Sequence, residues 1–169
     1  MTRRIVVTQG ICSVSREEDA LMTTVLGSCV ATCLHDTAAG IGGMNHFLLS
    51  DQEGAADGRA IYGVHAMELL INAMMREGAD RRRLRAHIYG GAAVVPGIAR
   101  DIGAANADFA RAYLRAESIE IVRDDTGGRR ARRVEFQPAA GRARRVFVED
   151  QPVPIAMRSV PVSNDVEIF

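Results

Sequence analysis

The chain has 169 residues, of which 47% are hydrophobic and 25% charged, and a formal net charge of zero. That length supports one domain with a full core, and the charge balance leaves no overall field to draw the chain to nucleic acid or an anionic membrane. All 21 basic residues are Arg, which excludes Schiff-base lysines, pyridoxal-phosphate anchoring and a phosphate-loop lysine. No apolar run reaches bilayer-spanning length, and the start, "MTRRIVVTQG", is too short in its apolar part for a secretory signal. Three cysteines without a disulfide-scaffold spacing predict a cytoplasmic protein with reduced thiols and no membrane insertion.

Taken in order, "RRIVVTQGICSVS" reads as a strand, a turn and a second short strand. "REEDALMTTVLGS" leads into "CVATCLH" and "GIGGMNHFLL", two strands with "DTAA" as turn material between them. "DQEGAADGR" is a polar loop. "YGVHAMELLINAMMREGAD" is a helix: Val64, Met67, Leu70, Ile71, Met74 and Met75 recur at three- and four-residue spacing, and Gly78 stands at the C-terminal cap. "LRAHIYGGA" is a buried strand, and "DIGAANADFARAYLRAES" a second helix with Asp101 as its N-cap. "IEIVRDDTGG", "RARRVEFQPAAG" and "RARRVFVED" read as β structure with two turns, followed by a Pro-rich tail over about 150–169. Nothing marks a domain boundary, so residues 1–169 are expected to form a single domain.

Two of the three cysteines and two of the four histidines crowd into Leu26–Leu49. A hairpin closed by Asp36–Ala39 would set Cys29 opposite His46 and Cys33 opposite Gly42, with directly opposed side chains on one face. A thiol beside an imidazole can form a thiolate–imidazolium pair, a nucleophile at neutral pH. Gly27 and Ser28, in the turn before Cys29, could offer free backbone N–H groups to an oxyanion. Thr23 or Thr24 could orient the imidazole. A metal site is the weaker reading, because Cys29 and Cys33 on one strand lie about 13 Å apart, too far for one tetrahedral zinc. A plain buried hairpin stays open. His35 beside the turn is expected to be solvated, and His65 and His87 structural. Asn45 should bond to backbone. The Arg-rich end, Arg129 to Arg145, lacks the interleaved aromatics of a nucleic-acid surface and reads as a solvated hairpin face.

"TTVLGSCV" and, beginning thirteen residues after Cys29, "GGMNHFLL" resemble the motifs of the CheD family, the chemoreceptor glutamine deamidases. "YGVHAMELLINAMMREGA", "HIYGGA", "DIGAAN" and "DDTGGRRARRVEF" follow in the family's order, up to about Phe147. Ser50, Ala105 and Arg129 depart from the family pattern, away from the reactive residues. The resemblance implies Cys29 as nucleophile, His46 as general base and acid, and Thr23 as orienting hydroxyl, with oxyanion contacts from Gly27 and Ser28 and neither metal nor cofactor. The implied substrate is a Gln side chain on the cytoplasmic helices of a methyl-accepting chemotaxis receptor, converted to Glu through a thioester with release of ammonia. A binding module that regulates a CheC-type phosphatase is the alternative. The implied fold is α+β, a single layered domain of mixed β-sheets flanked by helices, similar to cysteine-dependent toxin deamidases.

Overall fold

The computed structural model of the chain describes residues 1–49, 56–97 and 101–149. Ser50 and the Pro-rich tail lie outside the described residues. In chain order the elements are β1 (Arg3–Val6), β2 (Cys12–Ser15), β3 (Ala20–Leu26), β4 (Val30–Asp36), β5 (Ile41–Asn45), α1 (Ala56–Arg76), β6 (Arg85–Gly90), α2 (Ile102–Ala116), β7 (Glu120–Thr126), β8 (Arg132–Gln137) and β9 (Arg142–Phe147). They form two mixed sheets, β1-β3-β8-β9 and β2-β5-β4-β6-β7. Both helices lie against the second sheet, α1 over β2 and β5, and α2 over β4, β6 and β7.

Every residue of β4 is buried because both its faces are covered. Val30 and Leu34 face the helices with Phe47, Met67, Leu70, Ile71 and Met74. Ala31, Cys33 and Met44 face the other sheet, where Val7, Met22, Leu26, Val134 and Phe136 complete a second core layer. The architecture is therefore helices, sheet, sheet. Each large apolar side chain closed into it contributes about 1.5–3 kcal/mol.

Helix α1 starts at Ala56, earlier than the polar loop in its sequence suggests. Its buried stripe is Met67, Leu70, Ile71 and Met74, whereas Val64 and Met75 are exposed. At its end Gly78 takes φ +102°, while Gly78 N–H bonds Met75 O at 3.0 Å and Ala79 N–H bonds Met74 O at 3.1 Å, a Schellman cap. Asp101 caps α2 by accepting from Ala104 N–H at 2.9 Å.

The β4–β5 hairpin differs in register from the sequence expectation. Cys33 pairs with Met44, not Gly42, and the turn is Thr37–Gly40, because Asp36 belongs to the strand and pairs with Ile41. Its buried carboxylate accepts from Arg83 Nε at 3.0 Å, Asp80 N–H at 2.8 Å and Ala39 N–H at 3.1 Å. Arg83 and these N–H groups hold the acid down at about 2 against the cost of burial.

His35 is buried, not solvated. Gly141 in the β8–β9 turn covers its ring so closely that a Cβ there would sit 2.6 Å from Nδ1. His87 faces it with ring centroids 5.3 Å apart. Burial, with His35 and Arg123 nearby, pulls His87 down to about 4 from an ordinary 6.5. The folded state thus resists a proton that the unfolded chain accepts. This stability is fully present above pH 6.5 and is lost as pH falls towards 4. After allowance for partial exposure the full loss is about 1–2 kcal/mol, of which somewhat over half falls above pH 5, so the melting temperature should drop by about 1–5 °C between pH 7 and 5. His87→Phe should flatten part of that slope, burial of His35 and His46 supplying the rest; a slope unchanged in the variant would remove His87 from it.

No helix among the described residues is long and apolar enough to cross a membrane.

Candidate active site

Gly27, Ser28 and Cys29 join β3 to β4, and all three carbonyls are tied down. Gly27 O accepts from Ala92 N–H at 2.9 Å and Cys29 O from Gly91 N–H at 2.8 Å. Ser28 O accepts from Asn106 Nδ2 at 2.8 Å. Among the described residues, no backbone carbonyl takes up the N–H groups of this turn, so none competes for them with a developing anion. Gly90, at φ +106°, lets β6 pass so close that a Cβ would sit 2.1 Å from Cys29 O.

His46 follows β5 directly. Its backbone is clamped by Gly10 N–H to His46 O at 2.8 Å and His46 N–H to Ile11 O at 3.2 Å. The imidazole Nδ1 lies 2.9 Å from Thr24 Oγ1 and 3.3 Å from Val7 O. Thr24 Oγ1 itself donates to Val7 O at 2.7 Å. A carbonyl only accepts and the threonine proton is committed, so Nδ1 must carry the ring proton. Nε2 is then the lone-pair nitrogen, and it is buried without a partner.

The hydroxyl at His46 is therefore that of Thr24, not Thr23. On β3, Met22 and Leu26 face the inter-sheet core, and alternation places Thr24 with them and Thr23 on the outer face. Sequence spacing to the cysteine does not distinguish adjacent residues on a strand; the pleat does.

Cys29 and His46 are not directly opposed. Val30 and Phe47 form the bridge, exchanging hydrogen bonds of 3.0 and 2.9 Å. Cys29 and His46 each precede one of them. Extending the ladder makes the two diagonal neighbours on one face, about 7–8 Å apart at Cα and within reach of long side chains. Asn45 opens the ladder between β4 and His46: its Oδ1, rather than its backbone carbonyl, accepts from Thr32 N–H at 2.9 Å. The expected bonding of Asn45 to backbone is thus observed.

Burial raises the Cys29 thiol, with its own backbone N–H pulling the other way. Burial lowers His46, with the Val7 carbonyl opposing. Both directions favour the uncharged forms, so burial opposes a thiolate–imidazolium pair here. In a Cys12→Ser/Cys33→Ser background, iodoacetamide should alkylate Cys29 along a titration centred above the ordinary 9.0. An inflection below pH 6.5 would demonstrate a preformed ion pair.

Two residues escaped the sequence reading. Gln9, exposed between β1 and β2, accepts from Cys29 Sγ at 3.7 Å; a lone turn glutamine gives no sequence signal. Asn106 is 0% exposed and bridges Ser28 O to Leu49 N–H, the latter at 3.0 Å. Its signal was available: it occupies the stripe Gly103, Asn106, Ala107, Ala110, Leu114 that buries α2, where an amide must have partners. A cavity of about 190 Å³ lined by Ser28, Val94, Val95 and Asp101 flanks the turn. Among the described residues no three His, Cys, Asp or Glu side chains gather as a metal site.

A family model described as CheD chemotactic sensory transduction matches residues 48–146. Proteins named "Probable chemoreceptor glutamine deamidase CheD" align over nearly the whole chain. One from Caulobacter vibrioides is 48% identical, covering 98% of this chain and 93% of its own. Another, from Zymomonas mobilis, is 50% identical, covering 99% and 93%. A third, from Agrobacterium fabrum, is 44% identical, covering 99% and 97%. Among solved structures, a Neisseria meningitidis protein of the DUF152 family superposes with a TM-score of 0.46 at 16% identity, over 69% of this chain and 53% of its own.

Proposed function

The chain belongs to the CheD family and is a chemoreceptor glutamine deamidase; from that premise we propose that Cys29 is its nucleophile, His46 its base and acid, and Thr24 the hydroxyl that orients His46. The observation that carries this reading is the His46 ring: its Nδ1 is held by Thr24 and Val7, and its Nε2 is buried and unpartnered on the sheet face that Cys29 shares.

Cys29 Sγ attacks the side-chain amide carbon of a receptor glutamine while its proton passes to His46 Nε2. N–H groups of Gly27, Ser28 and Cys29 hold the oxyanion. His46 returns the proton to the leaving nitrogen, the C–N bond breaks, and ammonia departs, leaving a thioester. Water then attacks the thioester carbonyl and gives its proton to His46. The C–S bond breaks, Cys29 recovers the proton, and glutamate is released. The substrate's neighbouring side chains rest in the cavity beside Ser28. The chain acts as one domain in the cytoplasm, where the receptor helices lie, and a CheC-type phosphatase would occupy the same face without supplying an amide.

Ammonia release from a receptor cytoplasmic fragment tests the reading. Release is expected from the fragment with its glutamines intact and not from one in which they are glutamates. Tight binding without ammonia would favour the regulatory module.

A further inference from the structure

We propose that the Gln9 carboxamide is a catalytic group of this site, a donor that stabilises the Cys29 thiolate and then the oxyanion; the proposal rests on Cys29 being the nucleophile. Thr8 to Ile11 form a β-turn closed by Ile11 N–H to Thr8 O at 3.0 Å. Gln9 is its first corner residue and Gly10, at φ +84°, its second, the type II pattern that calls for glycine there. The turn is anchored on both sides. Val7 N–H bonds Thr23 O at 2.9 Å, and Gly10 N–H bonds His46 O at 2.8 Å. Gln9, the corner residue that carries a side chain, reaches the nucleophile, with Oε1 3.7 Å from Cys29 Sγ.

The chemistry of a carboxamide suits both states of the sulfur. Its oxygen accepts from the S–H of the resting thiol. Rotation by half a turn about the last side-chain bond exchanges oxygen for NH₂ at the same place, and the N–H then donates to a thiolate. The same donor lies within reach of the oxygen that becomes negative when Cys29 adds to the substrate amide, beside the Cys29 backbone N–H. No bond to Gln9 forms or breaks.

An exposed turn side chain contributes little to stability, within about 0.5 kcal/mol, so a structural and a catalytic role separate cleanly. The experiment measures kcat and KM for deamidation of the receptor fragment by Gln9→Ala and Gln9→Glu, with melting temperature and iodoacetamide reactivity of Cys29 alongside. Loss of an oxyanion donor costs about 10²–10³-fold in kcat. Gln9→Ala should fall in that range, with KM and melting temperature little changed. Gln9→Glu, an isostere that can only accept when ionised, should be slower still and should move Cys29 alkylation to higher pH. A kcat for Gln9→Ala within about threefold of wild type, or a loss confined to KM, would overturn the proposal. Cys29→Ala run in parallel separates the two failures: activity retained there overturns the nucleophile itself, whereas activity lost there with Gln9→Ala unimpaired overturns Gln9 alone.

Discussion

Cys29→Ala should abolish ammonia release from the receptor fragment, a loss of about 10⁴-fold or more, while Cys33→Ala stays within a few-fold of wild type. The contrast follows from burial. Cys33 is 0% exposed, lies between the two sheets, and has its thiol pushed far up by burial alone, so it presents no thiolate to any substrate. Its truncation leaves a small cavity and costs about 1 kcal/mol. Cys29 is half-buried, at the end of a turn whose carbonyls are engaged elsewhere. Retained activity in Cys29→Ala, measured with an unchanged melting temperature, would remove the nucleophile from the account. A dead Cys33→Ala that still folds would contradict the burial argument that leaves Cys33 inert.

The second large effect concerns His46 and the threonine behind it. His46→Gln should lower kcat by about 10³-fold or more, since every proton transfer of the proposed reaction passes through its Nε2. Thr24→Val should cost about 10–100-fold, because the ring loses the partner that fixes its tautomer, along with about 1 kcal/mol of stability from the lost bond to Val7. Thr23→Val, on the outer face of β3, should be close to silent. The reverse order, a damaging Thr23→Val and a silent Thr24→Val, would show that Thr23 orients the ring during turnover. Melting temperatures of both variants keep a folding defect from being read as chemistry.

Much of this site could be read from the sequence, and the misreadings have identifiable causes. The alternation of "CVATCLH" and "GIGGMNHF" predicted the hairpin, but its register was displaced by two residues because Asp36 looks like turn material. The partners that draw it into the strand, Arg83 and Asp80, are distant in sequence. A displacement of two keeps every side chain on its face, which is why Cys29 and His46 still share one. Thr23 and Thr24 differ by one residue, and there the face does change. The burial that opposes charge on the thiol and the imidazole comes from the surrounding layers, a tertiary property with no local signature. His35 misled for the same reason, since the Gly141 turn that covers it comes from the other sheet. Gln9 reaches Cys29 only because its turn is anchored on β3 and on His46.

Site-resolved mass spectrometry of a receptor cytoplasmic fragment, incubated with the wild-type protein or with Cys29→Ala, tests the central claim most directly. Conversion of defined glutamines to glutamates by the wild type, and none by the variant, is the predicted result. Equal conversion by both, or none by either while the wild type binds the fragment, would contradict it.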